Sequence, residues 1–97
     1  MISRQSGYLK SVDVKAVLST IRIMAEVDPK VAFGIRLRQL REKRGVSQEQ
    51  LAQMVGMDRS YVGSVERGER NVSLENICKL AAGLAVAPAR LLESADA

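Results

Sequence analysis

Residues 48–67 read QEQLAQMVGMDRSYVGSVER, Gln48 to Arg67, and this stretch decides the fold. Its apolar residues recur at three- and four-residue spacing, the period of helices with one buried side. Ser47, just ahead of it, and Gln50 fit the S-x-x-Q capping box, in which the hydroxyl takes an amide proton and the Gln side chain reaches back. A helix therefore opens at Ser47, buries Leu51, Ala52 and Val55, and closes at Gly56. Only Met57 and Asp58 separate it from the next helix, for which Asp58 is a strong N-cap. That helix runs from about Arg59 to Arg67 and stops at Gly68. Ala52 must be small because the second helix crosses close beneath it, and Gly56 supplies the backbone freedom of a tight turn. Leu51, Val55, Met57, Val62 and Val65 lock the two helices together.

Two short helices with a glycine turn between them are the sequence form of a helix-turn-helix. On a wheel of ~100° per residue, Arg59, Ser60, Gly63, Ser64 and Arg67 share an arc of about 140°, opposite Tyr61, Val62 and Val65. One face is small, polar and basic. Small residues let a helix approach a groove floor, while Arg can bond guanine O6 and N7 and Ser can serve several bases. Arg59, Ser60 and Ser64 are the candidate base contacts, with phosphate the alternative for Arg59.

Working outward, a helix begins after Pro29 and runs to about Arg44, with Phe33, Leu37 and Leu40 as its apolar stripe. Gly45 is its C-terminal stop, and Lys43 and Arg44 complement its negative end. Arg41 flanks that stripe, and Glu66 flanks the apolar side of the 59–67 helix, so burial of both favours an ion pair. Arg36, Arg38, Lys43 and Arg44 read equally well as a solvated charged face. A further helix follows Ser73, with Leu74, Ile77, Cys78, Ala81 and Leu84 on its buried side. A short last one has Pro88 at its first position and Leu91 and Leu92 for burial, after which Ser94 to Ala97 should fray. Near the start, Val14, Val17, Leu18 and Ile21 predict a helix at about 13–26. Val31 and Ile35 form a second apolar strip, which that helix could cover in its own or a partner subunit.

The chain's 97 residues are the length of one domain, and 46% hydrophobic with 27% charged is a globular rather than a disordered balance. It has no histidine and a single cysteine, Cys78, which excludes His-based catalysis, an internal disulfide and any CxxC metal or redox pair. With no nucleophile–base pair and no Gly-rich phosphate loop either, the chain is not expected to be an enzyme, and no metal, cofactor or small-molecule ligand is implied. Neither a secretory signal nor a membrane span is expected, so the location expected is cytoplasmic. Nine cations and five anions fall in residues 30–70, a net +4, equal to the formal charge of the whole chain. A basic surface concentrated there fits nucleic acid. Three aromatic residues, Tyr8, Phe33 and Tyr61, are too few for an RNA-stacking platform.

The stretch from Phe33 to Leu92, LRQLREKRGVSQEQLAQMVGMDRSYVGSVERGERNVSLENICKLAAGLAV at its centre, resembles the Cro/CI-type, or XRE-type, helix-turn-helix domain. Within it, SYVGSVERGERNVSLENI looks most like restriction–modification controller proteins and their stand-alone relatives. The resemblance implies an all-α fold: a compact five-helix lambda-repressor-like DNA-binding domain over residues 30–97, helix-turn-helix proper 48–67, with an extra N-terminal helix in an extension, 1–29. It implies that Gln48 binds phosphate, that Arg59, Ser60 and Ser64 face bases, and that Tyr61, Arg67 and Arg70 contact the backbone. It pairs Arg41 with Glu66, and it puts a dimer interface near Asn76 to Leu92, with Ile77, Leu84, Leu91 and Leu92 the candidates. Four departures stand out: Gly63 leaves a reading position without a side chain, Gly83 interrupts the helix that follows Ser73, Ala85 stands where a glycine stop is common, and Ala87 is a poor N-cap.

The expected function is a sequence-specific regulator of transcription that binds double-stranded DNA as a homodimer on an inverted-repeat operator. Repression or autoregulatory control is favoured, because only Glu49 offers an acidic contact on the scaffold helix for RNA polymerase, a further candidate partner. The alternative is an antitoxin-type protein-binding module whose DNA binding is secondary.

Overall fold

A computed structural model of the chain describes residues 13–95. Residues 1–12 of the N-terminal extension, and 96–97 of the end expected to fray, lie outside the described residues. Among the described residues there are six helices and no strand: α1 (Val14–Glu26), α2 (Pro29–Arg44), α3 (Gln48–Val55), α4 (Arg59–Glu66), α5 (Leu74–Gly83) and α6 (Pro88–Leu91). The all-α fold expected from the sequence is the fold observed.

Most helices begin and end where local chemistry tells them to. Asp13, Asp28, Ser47 and Ser73 each accept a backbone N–H of the first turn they cap, and the Ser47–Gln50 capping box is complete in both directions. Gly45 and Gly56 close α2 and α3 in the left-handed region, at φ 76° and 72°. One cap differs from expectation, and one is unusual in residue type. Asp58 holds the N-cap position of α4, but its side chain makes no capping bond; the backbone carbonyl alone receives Tyr61 and Val62 N–H. Ala85, at φ 55°, occupies the left-handed site that follows α5 and is the one non-glycine residue there among those described.

The core lies between α2, α3, α4, α5 and α6. Leu37, Leu40, Leu51, Ala52, Val62, Val65, Leu80, Ala81, Leu84 and Leu91 are its buried residues. Burying a side chain of this size stabilises by ~1.5–3 kcal/mol. On α5 Ala81 and Leu84 are buried as expected, but the buried side is rotated to take in Leu80, which is fully buried, while Leu74 and Cys78 are exposed. Packing against α3 sets that rotation, because Gly83 lies so close to Val55 and Leu51 that a Cβ would stand 2.5 and 3.0 Å from their side chains.

α2 meets α4 at a second small residue. A Cβ on Gly34 would overlap the Val65 carbonyl oxygen and stand 2.7 Å from that of Glu66. Only a bare backbone lets the two helices come this close, so Gly34 sets where the end of α4 rests.

α1 forms as expected, but its stripe of Val14, Val17, Leu18 and Ile21 is exposed, and Val31 and Ile35 remain 41% and 46% exposed. The stripe therefore does not cover α2 within the chain. Ile23 and Val27, off that stripe, line an open groove together with Val31, Ile35 and Leu92.

Candidate nucleic-acid interface

α4 carries the polar face read from the sequence, and α3 and α2 hold it from behind. The Arg41 guanidinium grips the Glu66 carboxylate at both ends, Nε to Oε2 at 2.6 Å and Nη2 to Oε1 at 2.9 Å. Its Nη1 donates to the Val46 carbonyl at 2.9 Å, so one arginine ties α2, the α2–α3 turn and α4 together. Hydrogen bonding to Glu66 raises the Arg41 pKa above its ordinary value. Glu66 Oε1 also accepts from Gln48 Nε2 at 3.0 Å, which brings the first residue of α3 into the same network. Buried charges need this completeness of partners.

On the outward side, Arg59 and Ser60 are exposed, and neither makes an ion pair or side-chain hydrogen bond among the described residues. Ser64 is different. It is 5% exposed, its hydroxyl donates to the Tyr61 carbonyl at 2.7 Å, and it accepts Arg70 Nε at 3.1 Å. The expectation that Ser64 faces bases does not fit this placement. On the wheel it stands at the edge of the polar arc, and the chain after α4 folds back over that edge. Ser64 orients Arg70, whose guanidinium also lies 5.8 Å from the Tyr61 ring centroid, within cation–π range. The Tyr61 hydroxyl accepts from Asn76 Nδ2 at 3.0 Å, which leaves its own proton for another acceptor.

Gly63 falls within the polar arc but is buried, because its missing side chain leaves a slot that neighbours fill. A Cβ there would be 3.1 Å from Arg67 Nη1 and 3.5 Å from Gln48 Oε1. Arg67 in turn is forked by Glu69, Nε to Oε2 at 3.0 Å and Nη2 to Oε1 at 3.2 Å. Arg67 and Gln48 thus meet at Gly63, Arg70 and Tyr61 meet at Ser64, and Arg59 and Ser60 are exposed on the same helix.

A helix-turn-helix family model, HTH_3, matches residues 37–91, more than half of the chain. The chain belongs to this helix-turn-helix family. The family is one of transcriptional regulators, not enzymes. The chain is 43% identical over 70 residues to the control protein C.MunI of Mycoplasma sp, an overlap covering 71% of this chain and 95% of that one. The crystal structure of the restriction–modification controller protein C.AhdI from Aeromonas hydrophila superposes with a TM-score of 0.63 at 61% identity, covering 64% of this chain and 94% of that chain. A tetramer of the controller protein C.Esp1396I in complex with its natural 35 base-pair operator matches with a TM-score of 0.62 at 25% identity, over 67% of this chain and 86% of that one. The Cro/CI-type resemblance and its controller branch are therefore the right family.

Within this helix-turn-helix protein, two expected interface residues are core residues. Leu84 and Leu91 are each 1% exposed and pack inside the chain, so they have no surface to offer a second copy. Leu92 is 64% exposed, and half-buried Ile77 shares a pocket with it and Phe33. Arg36, for which a solvated face is only one of two equal readings of the sequence, is 2% exposed. Its Nε donates to the Arg90 carbonyl at 2.8 Å and its Nη2 meets Glu93 at 3.1 Å, which pins the chain around α6 onto α2. Arg36 flanks the Phe33–Leu37–Leu40 stripe on the side opposite Arg41, so the wheel that singled out Arg41 held the same signal. Among the described residues no helix is long and apolar enough to cross a membrane.

Proposed function

We propose that this chain is a sequence-specific regulator of transcription that controls a restriction–modification system, acting in the cytoplasm as a homodimer on an inverted-repeat operator. The observation that carries the reading is the outward face of α4: Arg59 and Ser60 exposed, with no ion pair or hydrogen bond to occupy them. Unoccupied donors on an exposed helix face suit a major groove edged with acceptors. The names of the relatives, control proteins and an operator-bound tetramer, point the same way.

In this reading Arg59 and Ser60 meet base edges from α4, while the Tyr61 hydroxyl, the Gln48 amide and Arg70 bind phosphates. Ser64 serves indirectly, by holding Arg70. Two copies related by a two-fold axis would present their α4 helices to successive major grooves, ~34 Å apart. The exposed Leu92 and the neighbouring apolar surface of Val31 and Ile35 form the contact between copies. The test is a footprint on DNA upstream of the chain's own gene, with fluorescence anisotropy on the protected duplex. A protected inverted repeat is expected, with Arg59→Ala costing ~1–3 kcal/mol on that duplex and relaxing the preference at one base pair. Equal binding to every duplex, or to none, would overturn the reading.

A further inference from the structure

The guanidinium of Arg67 is held unlike any other on this surface. Glu69 takes its Nε and Nη2 in a two-point fork, and its Nη1 lies over Gly63, in the volume a side chain at that position would fill. Both members of the pair are exposed, so packing does not hold it. A guanidinium carries five N–H groups in a plane, and a carboxylate on the Nε–Nη2 edge leaves the Nη1–Nη2 end with two parallel donors. That end matches O6 and N7 of guanine.

We infer that Glu69 is a positioning residue that presents Arg67 to a guanine base. Arg67 then reads the base-pair step that Gly63, without a side chain, cannot. This rests on the reading that the α4 face enters a major groove, and it moves Arg67 from the backbone role that the family resemblance implies. Charge separates the two roles. A guanidinium neutralised by a carboxylate is a poor phosphate ligand, because phosphate binding draws on net charge. A neutral base edge asks instead for two donors at fixed spacing, which the fork keeps. Preorganisation also spares the loss of side-chain freedom that a loose arginine undergoes on docking. Arg67 holds the Glu69 carboxyl below its ordinary pKa, through hydrogen bonding first, so both partners are charged at neutral pH. Gly63 is part of the device, since a Cβ 3.1 Å from Nη1 would press the guanidinium a few tenths of an ångström from where it rests.

The test is selection from a randomised double-stranded DNA library with the full chain, its Glu69→Gln and Arg67→Ala variants, and Arg59→Ala for comparison. Thermal melting checks that each variant is folded. Wild type should enrich a half-site in which one guanine loses about tenfold of its preference in both Glu69→Gln and Arg67→Ala. That guanine should differ from the base pair relaxed by Arg59→Ala. Two results overturn the proposal with a wild-type motif present: Glu69→Gln binding all sequences more tightly with its base preferences intact, or Arg67→Ala weakening all sequences alike. The first makes Glu69 a simple counter-charge, and the second makes Arg67 a phosphate contact. A wild type that enriches no motif removes the functional reading beneath it.

Discussion

Arg41 and Glu66, 25 positions apart on two helices, meet in a fork behind the recognition face, with Gln48 and the Val46 carbonyl completing the set. Removing one partner strands the other charge away from water, at ~3–5 kcal/mol, whereas replacing both by apolar groups of matching volume can be near neutral. Arg41→Met and Glu66→Leu should each lose stability on that scale, and the double variant should recover much of it. Denaturant melts of the four proteins give the coupling energy, and additive losses would mean that the fork contributes nothing as a pair. This pair was legible in the sequence because each member flanks an apolar stripe on its own helix. Arg36 satisfies the same test, yet a solvated face suits it equally well in the sequence, because its partners, the Arg90 carbonyl and Glu93, lie 54 and 57 positions away in a segment with no pattern of its own. Ser64 was misread for a related reason. A wheel shows where a side chain leaves its helix and not what folds back over it, and here Arg70 does.

Helix ends and crossings carry the next level of information. The capping box of α3 and the glycine stops of α2 and α3 follow from the residue types alone, because each satisfies backbone groups within a few positions. Gly34 had no such local signal. What makes it necessary is a carbonyl of α4 more than thirty positions later, and no periodicity encodes that distance. Gly34→Ala should therefore destabilise by at least ~1–3 kcal/mol, the cost of forcing atoms into a packed contact. Because the overlap is with backbone, the end of α4 must move, so DNA affinity should fall along with the melting temperature. Ala85 offers the opposite experiment. Its φ of 55° costs an L-residue ~1–2 kcal/mol, and glycine removes that strain at ~0.5–1 kcal/mol of extra chain entropy. Ala85→Gly should thus gain up to ~1 kcal/mol and raise Tm by a few degrees in a calorimetric scan, while a fall in Tm would show that the turn is unstrained. The four-residue α6 marks where pattern reading ends. A single turn has no period, so its leucines could not be sorted into inward and outward, and Leu91 turned out to be core while Leu92 is not.

For the molecule as a whole, charge and apolar surface decide what can be tested. Two of the nine cations in residues 30–70, Arg36 and Arg41, are buried and paired, so the basic surface is smaller than the sequence count. DNA binding should still weaken steeply with salt, since each phosphate contact releases a counterion, and Arg70→Ala should lower the slope of log K against log salt by about one. An unchanged slope in anisotropy titrations would remove Arg70 from the phosphate contacts. The proposed homodimer makes the sharper demand. Leu84 and Leu91 cannot contribute, so the burden falls on Leu92 and the adjoining strip of Val31 and Ile35, which share one open groove. In a two-fold interface every substitution counts twice, once in each copy. Placing a carboxylate at Leu92 or Ile35 should therefore cost ~2–4 kcal/mol of association, about 30- to 1000-fold in dissociation constant. Both positions are exposed within a single chain, so Leu92→Asp and Ile35→Asp should leave the monomer's melting transition nearly where it was. Sedimentation equilibrium separates these effects: the dimer's mass should fall to the monomer's at concentrations where wild type stays paired, and affinity for an inverted repeat should drop toward that for a single half-site. Leu18→Asp, on the exposed stripe of α1, should do neither if the interface is confined to α2 and the α6 end. Should Leu18→Asp dissociate the dimer while Leu92→Asp does not, the contact between copies runs through α1, and the half-site spacing would have to be rebuilt around that helix.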